Sequence, residues 1–147
     1  MRITSFTDYS LRVLIQAALR HPEKVTIDEV AKAYGISRNH LIKVINELAR
    51  AGFIITQRGR TGGFTLARPA NRIKVGEVVR FGEAGQALVE CFDPVNNACV
   101  ITPACRLKGM LAEAMKAFNA VLDKYTIADI LSKPDALLRF LDLEPAA

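Results

Sequence analysis

The sequence predicts a mainly α-helical chain carrying one small β-hairpin, and three observations lead there. Apolar residues recur at helical spacing in three segments of the first 50 residues, divided by a proline and by a glycine. The period then shortens to that of a strand across "FIITQR" and "FTLA", with the turn-rich "GRTGG" between them. A longer helical stripe follows only after residue 100. Three helices followed directly by a hairpin give the order of a winged helix-turn-helix, extended here by a loop and a long C-terminal helix.

The first helix is predicted over Ser5 to Leu19, with Leu11, Leu14, Ile15, Ala18 and Leu19 inward and Arg12, Gln16 and Arg20 outward. His21-Pro22 ends it, because the residue before proline is pushed out of the helical region. Thr26 and Glu29 form a capping box that opens a second helix, whose Ile27, Val30, Ala31 and Tyr34 share one stripe. Gly35 stops that helix, and Ser37 caps a third that runs to about Arg50 on Leu41, Ile42, Ile45, Leu48 and Ala49. The hairpin follows Gly52, and "IKVGEVVRF" supplies a further short helix.

A loop is expected from about Gly82 to Pro103. Thr102 followed by proline reads as the cap of the long helix, with Leu107, Met110, Leu111, Ala114, Phe118, Val121, Leu122 and Tyr125 on one stripe. That stripe is too large to leave wet and is expected to pack on its copy in a homodimer. Thr126 to Asp129 caps a last short helix ending near Pro134. The expected organisation is residues 1–81 as winged helix, 82–105 as cysteine loop and 106–147 as dimerisation helix and C-terminal segment.

Charge divides the chain in the same place. Residues 1–80 carry 14 Lys and Arg against 6 Asp and Glu, a net +8, whereas residues 81–147 carry 6 against 9, a net −3. The basic half suits a polyanion, because cations that neutralise phosphates release condensed counterions. In a helix-turn-helix the start of the second helix meets base edges, which designates Ser37, Arg38, Asn39 and His40, with Lys43 one turn on. The wing tip adds Arg58, Arg60 and Thr61, on a hairpin thin enough to approach a minor groove. Any one of these charges could be an ordinary solvated residue; their combination with the capped three-helix pattern favours double-stranded DNA as partner. Neither histidine joins a nucleophile or acid/base arrangement, which speaks against an enzyme. His21 reads as a helix-end residue favoured by the helix dipole.

Cys91, Cys99 and Cys105 are the only cysteines, spaced C-x7-C-x5-C. Zinc sites favour pairs two to four residues apart, and neither interval fits. Thiolates at longer spacing surround a larger object, such as an iron–sulfur cluster. Thiol redox sensing and inert burial remain the alternatives. No run of about 18 apolar residues is present, and "MRITSFTDYS" does not resemble an export leader, so a cytoplasmic location without membrane insertion is expected.

The segments "ITSFTDYSLRVL", "YGISRNHLIKVINELARAGFI", "RGRTGGFTLARPA", "ITPACRLKGML" and "LDKYTIADI" together resemble the NsrR family of nitric-oxide-sensing repressors, grouped with IscR among winged-helix iron–sulfur regulators. The resemblance spans nearly the whole chain. It implies a homodimer on a palindromic operator, nitric oxide as signal, and one iron–sulfur cluster per subunit, of the [4Fe-4S] type in preference to [2Fe-2S]. It places three ligands on Cys91, Cys99 and Cys105 and a fourth on Asp8, from the same or the partner subunit. Read locally, Ser5-Phe6-Thr7-Asp8 is instead a capping box with an acid at the third helical position.

The interval containing "FDPVNNA" is a few residues longer than the family pattern, and Asp93 within it is a secondary ligand candidate. Two rivals stay beside this reading. One is a regulator of iron–sulfur supply in the manner of IscR, against which stands the absence of any histidine after Cys105. The other is an electron-transfer or cluster-carrying protein whose basic half serves only docking.

Overall fold

The computed structural model describes residues 2–59 and 61–143. Helix α1 spans Ser5–Leu19, α2 Ile27–Tyr34 and α3 Arg38–Arg50. The local caps form as the sequence indicates. Thr26 and Glu29 exchange both bonds of a capping box, Gly35 ends α2 in the left-handed conformation at φ 63°, and the Ser37 hydroxyl accepts the His40 N–H at 3.4 Å.

Strand β1 (Ile54–Gln57) pairs antiparallel with β2 (Gly63–Leu66), in a register from Ile54 opposite Leu66 to Gln57 opposite Gly63. Val25, just before α2, adds a short third rung: its N–H donates to the Phe64 carbonyl at 2.9 Å and its carbonyl accepts the Phe64 N–H at 2.8 Å. The wing is thereby fastened to the helix-turn-helix. The expected winged helix is present.

Helix α4 (Val75–Gly82) packs across α1. The two backbones come so close that a Cβ on Gly82 would overlap the Thr7 side chain, and Phe81 stacks at a tilt on Phe6 and Phe53 at 5.8 and 5.4 Å. Beyond it, residues 83–105 hold two 3₁₀ turns, Glu90–Phe92 and Thr102–Ala104. Helix α5 (Arg106–Leu122) then carries no buried residue, while Leu107, Met110 and Val121 stand about half exposed. Helix α6 (Ile127–Ile130) turns back to seat Ile127, fully buried, in the winged-helix core. Burial of such a side chain is worth about 1.5–3 kcal/mol. Helix α7 (Pro134–Phe140) closes the described chain. No described helix is long and apolar enough to cross a membrane.

Four local expectations are corrected. The cap of α1 is Thr4, whose hydroxyl accepts the Thr7 N–H at 3.2 Å, so Asp8 is the fourth helical residue and does not close a capping box from Ser5. The carboxylate at this helix start comes from Glu83, which accepts the Thr4 N–H and hydroxyl, both at 2.9 Å, and the Thr7 hydroxyl. Gln16, expected outward, is fully buried with Val13, Leu14 and Ala17, because α1 is the central helix, contacted by α2, α3, β2, α4 and α6.

The long helix begins after Cys105, its N-cap, and not at Thr102. The Thr102 hydroxyl is already engaged by the Asn97 side chain, at 3.2 Å from Asn97 Nδ2. Finally, Pro134 starts a helix of its own at its first position, where a missing N–H costs nothing.

Burial alone would raise the Glu83 pKa, but hydrogen bonds from Thr7 and Thr4 outweigh it and hold the carboxyl below its usual range. A depressed folded value means the stabilisation is present above the unfolded carboxylate's value of about 4.3 and is lost as pH falls through the folded value. Denaturation midpoints of the wild type and Glu83→Gln are expected to differ at neutral pH, with the variant less stable, and to converge on acidification. A difference that persists undiminished in acid would show that charge on Glu83 is not the cause.

Candidate nucleic-acid interface and cysteine loop

The candidate reading face is built from the start of α3 and the wing. Ser37, the cap of α3, and Arg38, Asn39, His40 and Lys43 on it are all exposed, and Arg58 and Thr61 are exposed at the wing tip. Arg60 lies outside the described residues. Arg38 is not free: its Nε donates to Asp28 Oδ1 of α2 at 2.7 Å, with both side chains more than half exposed. An exposed pair of this kind contributes about 0–1 kcal/mol, whereas a bidentate arginine–guanine contact is worth about 1–3 kcal/mol, so DNA can displace Asp28. Asp28 thus holds Arg38 at the start of α3 without burying it. The His40 ring lies 6.3 Å from that of Tyr9, so α1 backs the same face.

One cation of this face escaped the sequence reading. Lys24 Nζ donates to the Thr61 carbonyl at 3.3 Å, which brings a further positive charge to the wing tip from 37 residues away. The Val25–Phe64 rung puts it there, and no local motif announces it.

The second candidate site is split between two places. Cys91, Cys99 and Cys105 are free thiols, each partly buried, on the segment between α4 and α5. Asp8 sits on α1, where Arg12 grips both its oxygens, Nε to Oδ1 at 3.1 Å and Nη2 to Oδ2 at 2.9 Å. The Arg12 guanidinium also lies 5.5 Å above the Tyr34 ring. Burial pushes the Tyr34 hydroxyl up to about 12, against the opposing pull of Arg12.

Asp93 is engaged within its own turn. Its carboxyl accepts from Asn96 Nδ2 at 2.8 Å and from the Val95 and Asn96 N–H groups at 2.8 and 3.1 Å, and these bonds hold it below the usual carboxylate range. Among the described residues no three His, Cys, Asp or Glu side chains converge as they would around one metal ion. Three free thiols on one loop are the donor type that iron–sulfur clusters take, although their side chains are not drawn together. Asp8, paired with Arg12, is not gathered to them within this chain.

A winged helix with a cationic reading face, joined through a free-cysteine loop to a long helix with an uncovered apolar side, defines a DNA-binding transcriptional regulator. The chain belongs to the Rrf2 family of iron-dependent transcriptional regulators, whose family pattern it matches over residues 3–133. It is 47% identical over 148 residues to the HTH-type transcriptional regulator NsrR of Shouchella clausii, covering 98% of this chain and 99% of that protein. It is 46% identical over 146 residues to NsrR of Halalkalibacterium halodurans, covering 99% and 100%. Among solved structures it is similar to IscR of T. potens, with a TM-score of 0.72 at 26% identity over 92% of this chain and 88% of that one. It is also similar to the oxidized form of CymR from Staphylococcus aureus, with a TM-score of 0.70 at 25% identity over 90% and 97%.

The two kinds of cation at this face are expected to behave differently. Arg38→Ala weakens binding to the specific operator by about 1–3 kcal/mol and leaves binding to random DNA little changed. Lys24→Ala weakens both alike and reduces the slope of log affinity against log salt by about 0.9. Gel shifts across a salt series read both. An equal loss on the two DNAs for Arg38→Ala would make it a backbone contact only.

Proposed function

We propose that this regulator is a cytoplasmic, non-enzymatic repressor that carries an iron–sulfur cluster on Cys91, Cys99 and Cys105 and releases a palindromic operator in response to nitric oxide. The observation that carries the reading is the placement of three free, partly buried thiols on the segment that joins α4, packed on the DNA-reading domain, to α5. The likeness to the NsrR proteins over almost the entire chain supports nitric oxide as the signal. When bound, the cluster would supply iron that reacts with nitric oxide, and a [4Fe-4S] form is preferred to [2Fe-2S].

Residues 1–81 read DNA, 82–105 hold the thiols and 106–147 supply the dimer contact, through the exposed stripe of Leu107, Met110 and Val121 on α5. Reading falls to Ser37, Arg38, Asn39, His40 and Lys43, with Arg58, Arg60 and Thr61 on the wing. Asp8 is the proposed fourth ligand. Its two-bond pair with Arg12, four residues on, is only partly buried, so the carboxylate stays within reach of solvent and of a metal, and ligation would exchange the guanidinium for iron. Ligation would take Asp8 from Arg12 and so act directly on α1, which packs against α3.

The test is an anaerobic absorption spectrum with iron and sulfide analysis, before and after nitric oxide, alongside gel shifts on the operator. Iron and sulfide in equal amounts, bleaching by nitric oxide and loss of the shifted band are expected. Operator affinity indifferent to iron and to nitric oxide would overturn the reading. Asp8→Ala is expected to fold normally and to alter the spectrum or the nitric-oxide response; no change in either reduces Asp8 to a partner of Arg12. Met110→Glu is expected to shift the protein from dimer to monomer in sedimentation, because a carboxylate on the α5 stripe cannot be desolvated against its copy.

A further inference from the structure

We propose that Glu90 is a positioning residue that sets the spacing of the three thiols before anything binds them, with Asn97 carrying the same restraint on to Cys105. The proposal rests on the reading of these thiols as a metal-binding set. The loop has little apolar anchorage, since Val95 is 86% and Val100 91% exposed, so its shape must come from polar contacts. Those contacts form a connected series. Glu90 Oε1 accepts the Ala98 N–H at 2.6 Å, closing a ring that begins one residue before Cys91 and ends one residue before Cys99.

Within the ring Asp93 caps the turn through its bonds to Val95 and Asn96. Asn97 Oδ1 then accepts the Cys99 N–H at 3.1 Å, while Asn97 Nδ2 donates to the Thr102 hydroxyl at 3.2 Å. The Thr102 carbonyl in turn accepts the Cys105 N–H at 3.4 Å. Each cysteine is therefore held in the series, directly or through its neighbour. The interval between Cys91 and Cys99 supplies the rest of the series: Asp93 caps its turn on Asn96, and Asn97 hands the restraint on to Cys99. Groups that orient metal ligands commonly alter metal affinity by about 10- to 100-fold when removed.

The decisive measurement uses the reduced, metal-free full chain and Cd2+ as probe, followed by thiolate-to-cadmium charge-transfer absorbance in competition with a chelator. Glu90→Ala is expected to weaken Cd2+ binding about tenfold at an unchanged melting temperature, since Glu90 is exposed and buries no core surface. Glu90→Gln, which keeps a carbonyl oxygen for the Ala98 N–H, is expected to retain most of the wild-type affinity. Wild-type affinity in Glu90→Ala overturns the proposal. Equal losses in Glu90→Ala and Glu90→Gln also overturn it, because they would make Glu90 a charge or a ligand and not a brace. Reconstitution of the wild type with iron and sulfide separates this from the reading it rests on: failure to take up a cluster would remove that reading, while the Cd2+ comparison still decides the role of Glu90.

Discussion

Glu83 takes three donors from the first turn of α1, the Thr4 N–H and the hydroxyls of Thr4 and Thr7, and this joint organises the rest of the molecule. It sits one residue beyond Gly82, where α4 and α1 are too close for any side chain larger than hydrogen. The carboxylate and the close approach require each other: the contact brings Glu83 within reach of the helix start, and the hydrogen bonds repay the desolvation of its charge. Asp8 lies one residue past Thr7, and the cysteine segment begins immediately after Glu83. The two parts of the proposed sensing site therefore leave from opposite sides of one joint.

The start of α4 is fastened to the segment that follows α5. Val75 N–H donates to the Tyr125 carbonyl and Ile127 N–H to the Ile73 carbonyl, both at 2.9 Å, while Arg80 pairs with Asp123 at 2.8 Å. Ile127 then enters the core shared by α1 and the wing. Helix α4 thus stands between the winged helix and α5. The cysteine loop connects the same two helices along the chain. A change at the loop is consequently delivered to elements already tied to the winged helix, which is the mechanical condition for the proposed coupling of the thiols to DNA binding.

Both candidate faces hold their charged groups in solvent-accessible pairs. Arg38 rests on Asp28, and Asp8 rests on Arg12, with every partner more than a third exposed. The single Arg38–Asp28 bond orients the arginine while contributing little stability, so a base edge can take it over, whereas Arg12 holds Asp8 through both oxygens. The positive half of the chain supplies long-range attraction for DNA, and Lys24 extends it to the wing tip.

Much of this was legible from the residues alone. The helix-turn-helix, its caps at Thr26–Glu29, Gly35 and Ser37, the strand period of the wing and the free-cysteine segment rest on contacts three or four residues apart or on simple alternation, and local sequence contains both partners of such contacts. Likeness to a known family added Asp8, which local reading assigned to a cap. What the sequence could not supply depends on partners far along the chain. Thr4 caps α1 because Glu83 meets it from 79 residues away; Gln16 is buried because five elements surround its helix; Lys24 joins the wing because Val25 pairs with Phe64. The start of α5 moved past Cys105 for a nearer reason, since Asn97 claims the Thr102 hydroxyl that would have capped it. Periodicity and capping determined the elements of this protein, whereas the joints between them, on which any coupling of the cysteine loop to DNA must depend, were decided only when tertiary packing brought distant donors and acceptors together.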